Sequence, residues 1–284
     1  MAVVSNSELI SYVRDLENKS NPIRGQIIVN TLKGFGITPE IQRWRFPRIQ
    51  NIVVDLLPDP SIRKMMFTAH YDKYGTSPGA NDNASGVSVI LGLCHELNES
   101  RLPVRVIFFD REEAWLRTPI LNLGLLGSLY YVLSNTLTDV GSVYNIELCG
   151  RGEFLGIWPV KEKQEQLEVV KSVQMAAEEL QISYKTLHIP WLLLSSDHLS
   201  FRLRGFQNAL TLSFIPHAQL ASFKSLLSDI RVSHIIHKNK SVWPELIKSR
   251  HTALDDSRHI SESSLSLMLS LILKLAKYKY AYDC

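Results

Sequence analysis

The sequence predicts an α/β fold: a single domain on a mixed, mostly parallel central sheet with helices on both faces. Three observations predict it. Short apolar runs alternate with longer segments of helical spacing, the pattern of strands joined by crossover helices. The run 104–110 (VRVIFFD) is nearly continuous in apolar residues, as a strand buried on both faces must be. Polar clusters follow these runs directly, at the strand ends where open α/β sheets bind ligands.

Taken in order, Leu9, Ile10, Val13 and Leu16 recur at helical spacing. Asn21 caps a second helix with Pro22 at its first position and Gly34 just past its end. Segments 51–57 (NIVVDLL) and 64–70 (KMMFTAH) are strands separated by the turn Pro58-Asp59-Pro60. Then come a helix over 85–97, the strand 104–110, a helix around 125–134, a strand over 142–148 and a charged-faced helix over 161–180. A strand over 209–214 and an amphipathic helix over 261–280 close the chain. Residues 215–250 fit no periodicity and are expected to form an insertion or lid. No repeat, low-complexity tract or linker-like shift in composition divides the chain, so 1–284 reads as one domain.

With 45% hydrophobic and 21% charged residues among 284, the composition excludes disordered and fibrous classes. No window reaches the ~18 consecutive apolar residues of a membrane span. The net charge of +3, from 31 basic and 28 acidic residues, is scattered and gives nucleic acid no electrostatic footprint. The start, Met1-Ala2-Val3-Val4, lacks a basic segment leading into an apolar one. The expected location is therefore cytoplasmic. Cys94, Cys149 and Cys284 form no CxxC pair, so neither a disulfide framework nor a thiolate zinc site is expected. Cys94 and Cys149 sit in apolar contexts, as small core residues do.

Six polar clusters carry the candidate chemistry. In Thr68-Ala69-His70-Tyr71-Asp72, residues two apart on an extended segment project to the same side. Asp72 can therefore support a ligand His70 through its second ring nitrogen, although His-x-Asp is common by chance. Gly79-Ala80-Asn81-Asp82-Asn83-Ala84-Ser85-Gly86 precedes a helix and reads equally as a polar turn capped by Ser85 or Asn83. Asp110-Arg111-Glu112-Glu113 ends the most buried strand. Adjacent carboxylates there need a compensating cation, unless they merely begin an exposed loop. Asn145-Ile146-Glu147-Leu148-Cys149-Gly150, Ser196-Asp197-His198 and His251-Thr252-Ala253-Leu254-Asp255-Asp256 complete the set. Together they offer two imidazoles and three or four carboxylates, a mixed N/O set suited to one or two Zn²⁺ ions.

The order HYD, ANDNASG, EE followed by LGLLGS, NIELCG, SDH and HTALDD resembles the M28 family of zinc metallopeptidases over residues 68–256. The resemblance implies a fold that agrees with the alternation above, and a two-zinc site. In it His70 and Asp82 match a ligand and the metal-bridging carboxylate, and Glu113 and His251 match ligands of the second ion. Glu147 stands where the family normally has Asp, so ligation there is one methylene longer and the ion more loosely held. Glu112 matches the general base acting on a metal-bridging water. Asp72 matches the carboxylate behind His70, and Asp197 a further acid outside the ligand set. Ser200 stands where the family often has Pro. The implied activity is removal of N-terminal residues from peptide substrates, with no nucleic-acid or membrane partner; the oligomeric state is left open.

Two alternatives remain at this point. The segment 108–128 also resembles that of glutaminyl cyclases, which use a single zinc and carry Trp directly before the last His. Here that position is Arg250, and a second cyclase tryptophan aligns with Thr118, with Trp115 nearby. The other alternative is a metal-free binding module of the same fold.

Overall fold

A computed structural model of the chain describes residues 4–46, 48–113, 116–117, 122–158, 166–187, 196–223 and 243–278. Helix α1 (Asn6–Leu16) begins at a capping box in which Ser5 and Glu8 bond each other's backbone N–H. It buries Leu9, Ile10, Val13 and Leu16, the face its spacing predicts. Helix α2 is Asn21–Gly34; Ser20, one residue earlier than expected, is its N-cap, and Gly34 is its last residue.

Strands β1 (Glu40–Trp44), β2 (Ile49–Asp55), β3 (Lys64–His70) and β4 (Val104–Phe109) lead into the sheet, with α3 (Ser85–Leu97) crossing between β3 and β4. A small two-stranded ribbon, β5 (Leu116–Arg117) with β6 (Asn122–Leu123), precedes α4 (Leu126–Ser134). Then follow β7 (Val140–Ile146), β8 (Phe154–Trp158), α5 (Glu168–Glu179), β9 (Tyr184–Thr186), α6 (His198–Leu203), β10 (Ala209–Ile215), α7 (Glu245–Ser249) and α8 (Glu262–Tyr278).

The main sheet has eight strands in the order β1-β2-β4-β3-β7-β10-β8-β9. Its centre, β4-β3-β7-β10, is parallel throughout, while β1, β2 and β8 run antiparallel to neighbours. Consecutive strands β2 and β3 are therefore not partners, because β4 lies between them. The sequence reading misses β1, β8 and β9. The polar edge strands β1 and β9 lack the continuous apolar run that marks a central strand, whereas β8 is a short apolar run (FLGIW) of only five residues.

Side chains alternate between the two faces as the strand period demands. Met65, Phe67 and Ala69 join Val104, Val106 and Phe108 in the core under α1, α2, α3, α5 and α8. Met66, Ile107, Phe109 and Val143 instead pack with Tyr131, Val132 and Phe201 under α4 and α6. Fully burying such side chains stabilises by about 1.5–3 kcal/mol each, so a one-residue slip of β3 or β4 is strongly disfavoured. Cys94 and Cys149 are free and buried in this core; Cys284 lies outside the described residues. Among the described residues, no helix is long and apolar enough to cross a membrane. Of the expected insertion 215–250, residues 224–242 lie outside the described residues. The flanks pack Phe223, Leu246 and Ile247 against Leu148, Trp158 and Ile215.

The chain leaves β3 on one side, through α3 to β4, then crosses back over β3 to β7. This reversal opens the crevice at the carboxyl ends of β3 and β7, the position where doubly wound sheets take ligands.

Candidate functional site

The strand ends bring His70, Asp82, Glu113, Glu147 and His251 into two groups that share Asp82. His70, Asp82 and Glu147 offer atoms within 4.8 Å of one another, and so do Asp82, Glu113 and His251. His70 ends β3, Glu113 follows β4 and Glu147 follows β7. His251 follows α7 with φ 66, a left-handed backbone adopted also by Arg111 before Glu112 and Leu148 after Glu147. Such conformations cost energy outside glycine and cluster at sites that need a side chain aimed unusually. Tyr74 stacks on the His251 ring at 4.3 Å.

Asp82 is delivered by a turn, Ala80–Ala84, that is bonded on every side. Asn81 Oδ1 accepts from Gly150 N (2.8 Å), and Asn83 Nδ2 donates to the Ile146 carbonyl (2.8 Å). Asn83 Oδ1 also accepts from Gly86 N, although the N-cap of α3 is Ala84 and not Asn83 or Ser85. Asp255 accepts from the backbone N–H groups of Asn81 and Asp82 (2.8 and 3.2 Å). Buried Arg24 donates to the carbonyls of Leu16, Tyr71, Pro78 and Gly79. Gly79 has φ 70, and a Cβ there would lie 2.7 Å from the Arg24 guanidinium. Asn81, Asn83, Asp255 and Arg24 thus build the turn; in the sequence Asn81 and Asn83 stand in the polar cluster around Asp82, Asp255 stands in the cluster after His251, and Arg24 is unmarked.

Asp72 does more than stand behind His70. Its Oδ1 lies 3.4 Å from His70 Nδ1, and its two oxygens accept from the backbone N–H groups of Glu112 and Glu113 (3.0 and 3.1 Å). One carboxylate therefore sets both the imidazole and the adjacent pair of glutamates. Within that pair the side chains diverge. Glu113 Oε1 meets His251 Nε2 at 2.7 Å, whereas Glu112 belongs to neither group and lies 4.0 Å from His70 Nε2. Glu147 accepts from Ser196 Oγ at 2.5 Å.

Asp197 is fully buried, with neither oxygen hydrogen-bonded among the described residues. Burial pushes its carboxyl up to about 7, with His70 pulling it back. At Ser200 the N–H donates to the Asp197 carbonyl and Oγ pairs with Ser128 Oγ at 2.9 Å. Proline could not supply that donor, so a local bond replaces the ring.

Arg250 is the residue the sequence reading underweights. Its guanidinium lies 3.6 Å from Asp82 and 3.7 Å from Glu147. Burial opposes its charge, but Asp82, Glu113 and Glu147 hold it cationic. Burial likewise works against ionised Asp82, yet His251, His70 and Arg250 hold its carboxyl well below the usual range. Glu112 moves the other way: burial, helped by Glu147 and Glu113 against His70, lifts it well above an ordinary glutamate. Thr118 and Trp115, the positions compared with cyclase tryptophans, lie outside the described residues.

The site's donors fit divalent zinc. His70 Nε2 and both oxygens of Asp82 are buried with no hydrogen bond among the described residues. A mixed imidazole and carboxylate set of this kind is the one zinc takes.

Residues 51–276 match the model of peptidase family M28, so the chain belongs to that family. Aminopeptidase YwaD of Bacillus subtilis (strain 168) is 48% identical over 67 residues, which is 23% of this chain and 13% of that protein. The structure resembles BSAP, a zinc aminopeptidase from Bacillus subtilis, with TM-score 0.59 and 26% identity over 81% of this chain and 50% of that one. It also resembles Porphyromonas gingivalis glutaminyl cyclase, with TM-score 0.71 and 17% identity over 98% of this chain and 100% of that one. The chain thus spans half or less of the length of these aminopeptidases, and its likeness to the cyclase is one of fold.

Proposed function

We propose that this M28 chain is a zinc-dependent aminopeptidase that removes N-terminal residues from peptides. One observation carries the reading: two metal-competent groups share a single carboxylate, Asp82, the donor arrangement a pair of ions with one bridge uses fully. His70 and Glu147 would hold one ion, Glu113 and His251 the other, and Asp82 both. When bound, the ions would polarise the scissile carbonyl and acidify the attacking water.

The chain's own part is proton transfer and positioning. Glu112 is the general base: it takes the water's proton and passes it to the leaving amine, a task suited to a carboxyl raised by burial. Asp72 fixes the Glu112 backbone and the His70 ring together. Ser196 holds the Glu147 carboxylate.

A second reading is glutaminyl-peptide cyclisation with one zinc; Arg250 departs from the Trp that cyclases carry there but favours occupancy by one ion. A guanidinium already lies against Asp82 and Glu147, so it competes with an ion at the His70 and Glu147 side. That ion should leave first on chelation. Zinc titration beside a panel of aminoacyl-anilides and a cyclisation assay on an N-terminal Gln peptide separates the two. Binding of two ions with release of N-terminal residues, and no reaction on N-acetylated peptides, is expected. Saturation at one ion with pyroglutamate formation alone would overturn the aminopeptidase reading.

A further inference from the structure

Because β2 runs antiparallel to β4, with Ile52 opposite Phe108, the connection from β1 to β2 lies at the carboxyl end of β4, the end that Glu112 and Glu113 follow. Between Ile41 and Gln50 the chain carries Arg43, Arg45 and Arg48 and no acidic residue. All three arginines are exposed, and Phe46 stands 89% exposed between the last two. No carboxylate pairs with any of the three among the described residues. Folding adds a fourth guanidinium, since Arg111, directly before Glu112, donates from Nε to the Arg48 carbonyl at 3.4 Å.

The backbone of this connection is tied down although its side chains are not covered. Tyr130 Oη donates to the Phe46 carbonyl (3.1 Å), and the Tyr130 ring packs against Trp44 at 5.5 Å. Gln50 N–H donates to Asp110 (3.1 Å), and Tyr71 Oη donates to the Gln50 carbonyl (2.8 Å). Tyr71 follows His70 and Asp110 closely precedes Glu112, so the tip is fixed to two segments of the candidate site. A tip held in this way loses little freedom when a ligand binds it.

Guanidinium groups pair with carboxylates through parallel N–H bonds, a geometry that an ammonium lacks. A peptide whose amino end lies among the metal-competent groups runs out past the strand ends, and this tip borders that exit. One exposed aromatic ring offers too little apolar area to enter a bilayer, and the place beside Glu112 belongs to the substrate. We propose that the β1–β2 connection is a subsite for acidic peptides, in which Arg45, Arg48 and Arg111 pair with Asp or Glu side chains downstream of the N-terminal residue. The proposal rests on the reading of the neighbouring site as one that processes peptide N-termini, and names the peptides it prefers.

The test compares turnover of Leu-Glu-Glu-Glu-Ala, Leu-Gln-Gln-Gln-Ala and Leu-Lys-Lys-Lys-Ala, which share a first residue, with Leu-anilide, which has no residue after it. At low salt kcat/KM for the Glu peptide should exceed that for the Gln peptide about fivefold to tenfold, the gain of two or three exposed ion pairs. The excess should shrink in about 0.5 M salt. Arg45→Gln combined with Arg48→Gln should bring the two peptides close to level and leave Leu-anilide turnover unchanged. Arg45→Glu combined with Arg48→Glu should turn the preference toward the Lys peptide, which a general loss of structure cannot do. Equal rates for the Glu and Gln peptides in the unaltered protein, or an acidic preference that survives the Gln pair, would overturn the subsite and leave the peptidase reading standing. So would binding to phosphatidylserine vesicles that the Gln pair abolishes, without preference among the peptides. Should no peptide or anilide be turned over, calorimetric binding of the same peptides to the zinc-loaded protein carries the test. Tighter binding of the Glu peptide, lost in the Gln pair, would then sink the peptidase reading alone, and equal binding would sink both.

Discussion

The two ends of the central sheet carry buried charge in opposite ways. At the amino ends of β3, β4 and β7, Lys64 lies 3.3 Å from Asp139 and 3.8 Å from Asp55. Arg105 closes the set at 2.7 Å from Asp55 and 2.8 Å from Asp139. Each anion there has two cations. At the carboxyl ends Asp82, Glu112, Glu113 and Glu147 gather around Arg250 and two imidazoles, and neither Asp82 oxygen is hydrogen-bonded among the described residues. A compensated set of charges holds a structure together; an uncompensated one is built to receive cations.

The largest expected effect breaks the second end. Glu112→Gln should lower kcat about 10²–10⁴-fold, roughly 3–5 kcal/mol of barrier, with bound zinc unchanged by metal analysis. Glu113→Gln should instead weaken one ion, with activity partly restored by excess zinc. Loss of zinc from Glu112→Gln and its retention in Glu113→Gln would exchange their roles.

The next effect measures how much the uncompensated end gains from its cations. Zinc at a hundredfold excess over its Kd should raise folding stability by about 2.7 kcal/mol per independent ion. At about 2–4 °C per kcal/mol for a domain near this size, that is a rise of several degrees in thermal melting. Melting that ignores zinc would remove the contrast between the two ends.

At the compensated end, Lys64→Met should cost about 1–3 kcal/mol, because Asp139 and Asp55 lose a buried partner. The zinc-dependent increment in melting should be the same as in the unaltered chain. A changed increment would mean that the two ends are coupled through β3.

The smallest effect concerns His198. Its folded pKa is depressed to about 3, first by burial and then by Arg202, whereas an unfolded histidine titrates near 6.5. Between those values the unfolded chain binds the extra proton, so this contribution is present above about 6.5 and is lost as pH falls. At pH 5.5 the metal-free chain should have lost about 1.4 kcal/mol relative to a folded His198→Phe variant. Parallel pH profiles for the two would refute a neutral buried His198.

Several features of this chain follow from the sequence alone. The apolar runs of β3, β4, β7 and β10 and the helical spacing of α1, α3 and α8 are local signals, since burial on both faces or on one stripe fixes composition directly. The residues of both metal-competent groups are legible from their order in sequence, with His70, Glu113 and Glu147 at strand ends, Asp82 in the polar turn before α3 and His251 in the cluster after α7. Short strands toward the sheet edges were not, because exposure on one side relaxes the apolar requirement. Tertiary structure alone decided how charges distant in sequence meet. Arg24, Asp255 and Asn81 converge on one turn from three parts of the chain. Arg250 reads as a mere departure in sequence but becomes a cation against Asp82 and Glu147 once α7 folds back over the strand ends. The same folding leaves His198 Nε2 and Trp158 Nε1 without hydrogen bonds among the described residues around one cavity. Sequence spacing reports which side of its own element a residue faces; which groups share a buried volume, and which of them lack a partner there, depends on long-range packing that no local pattern encodes.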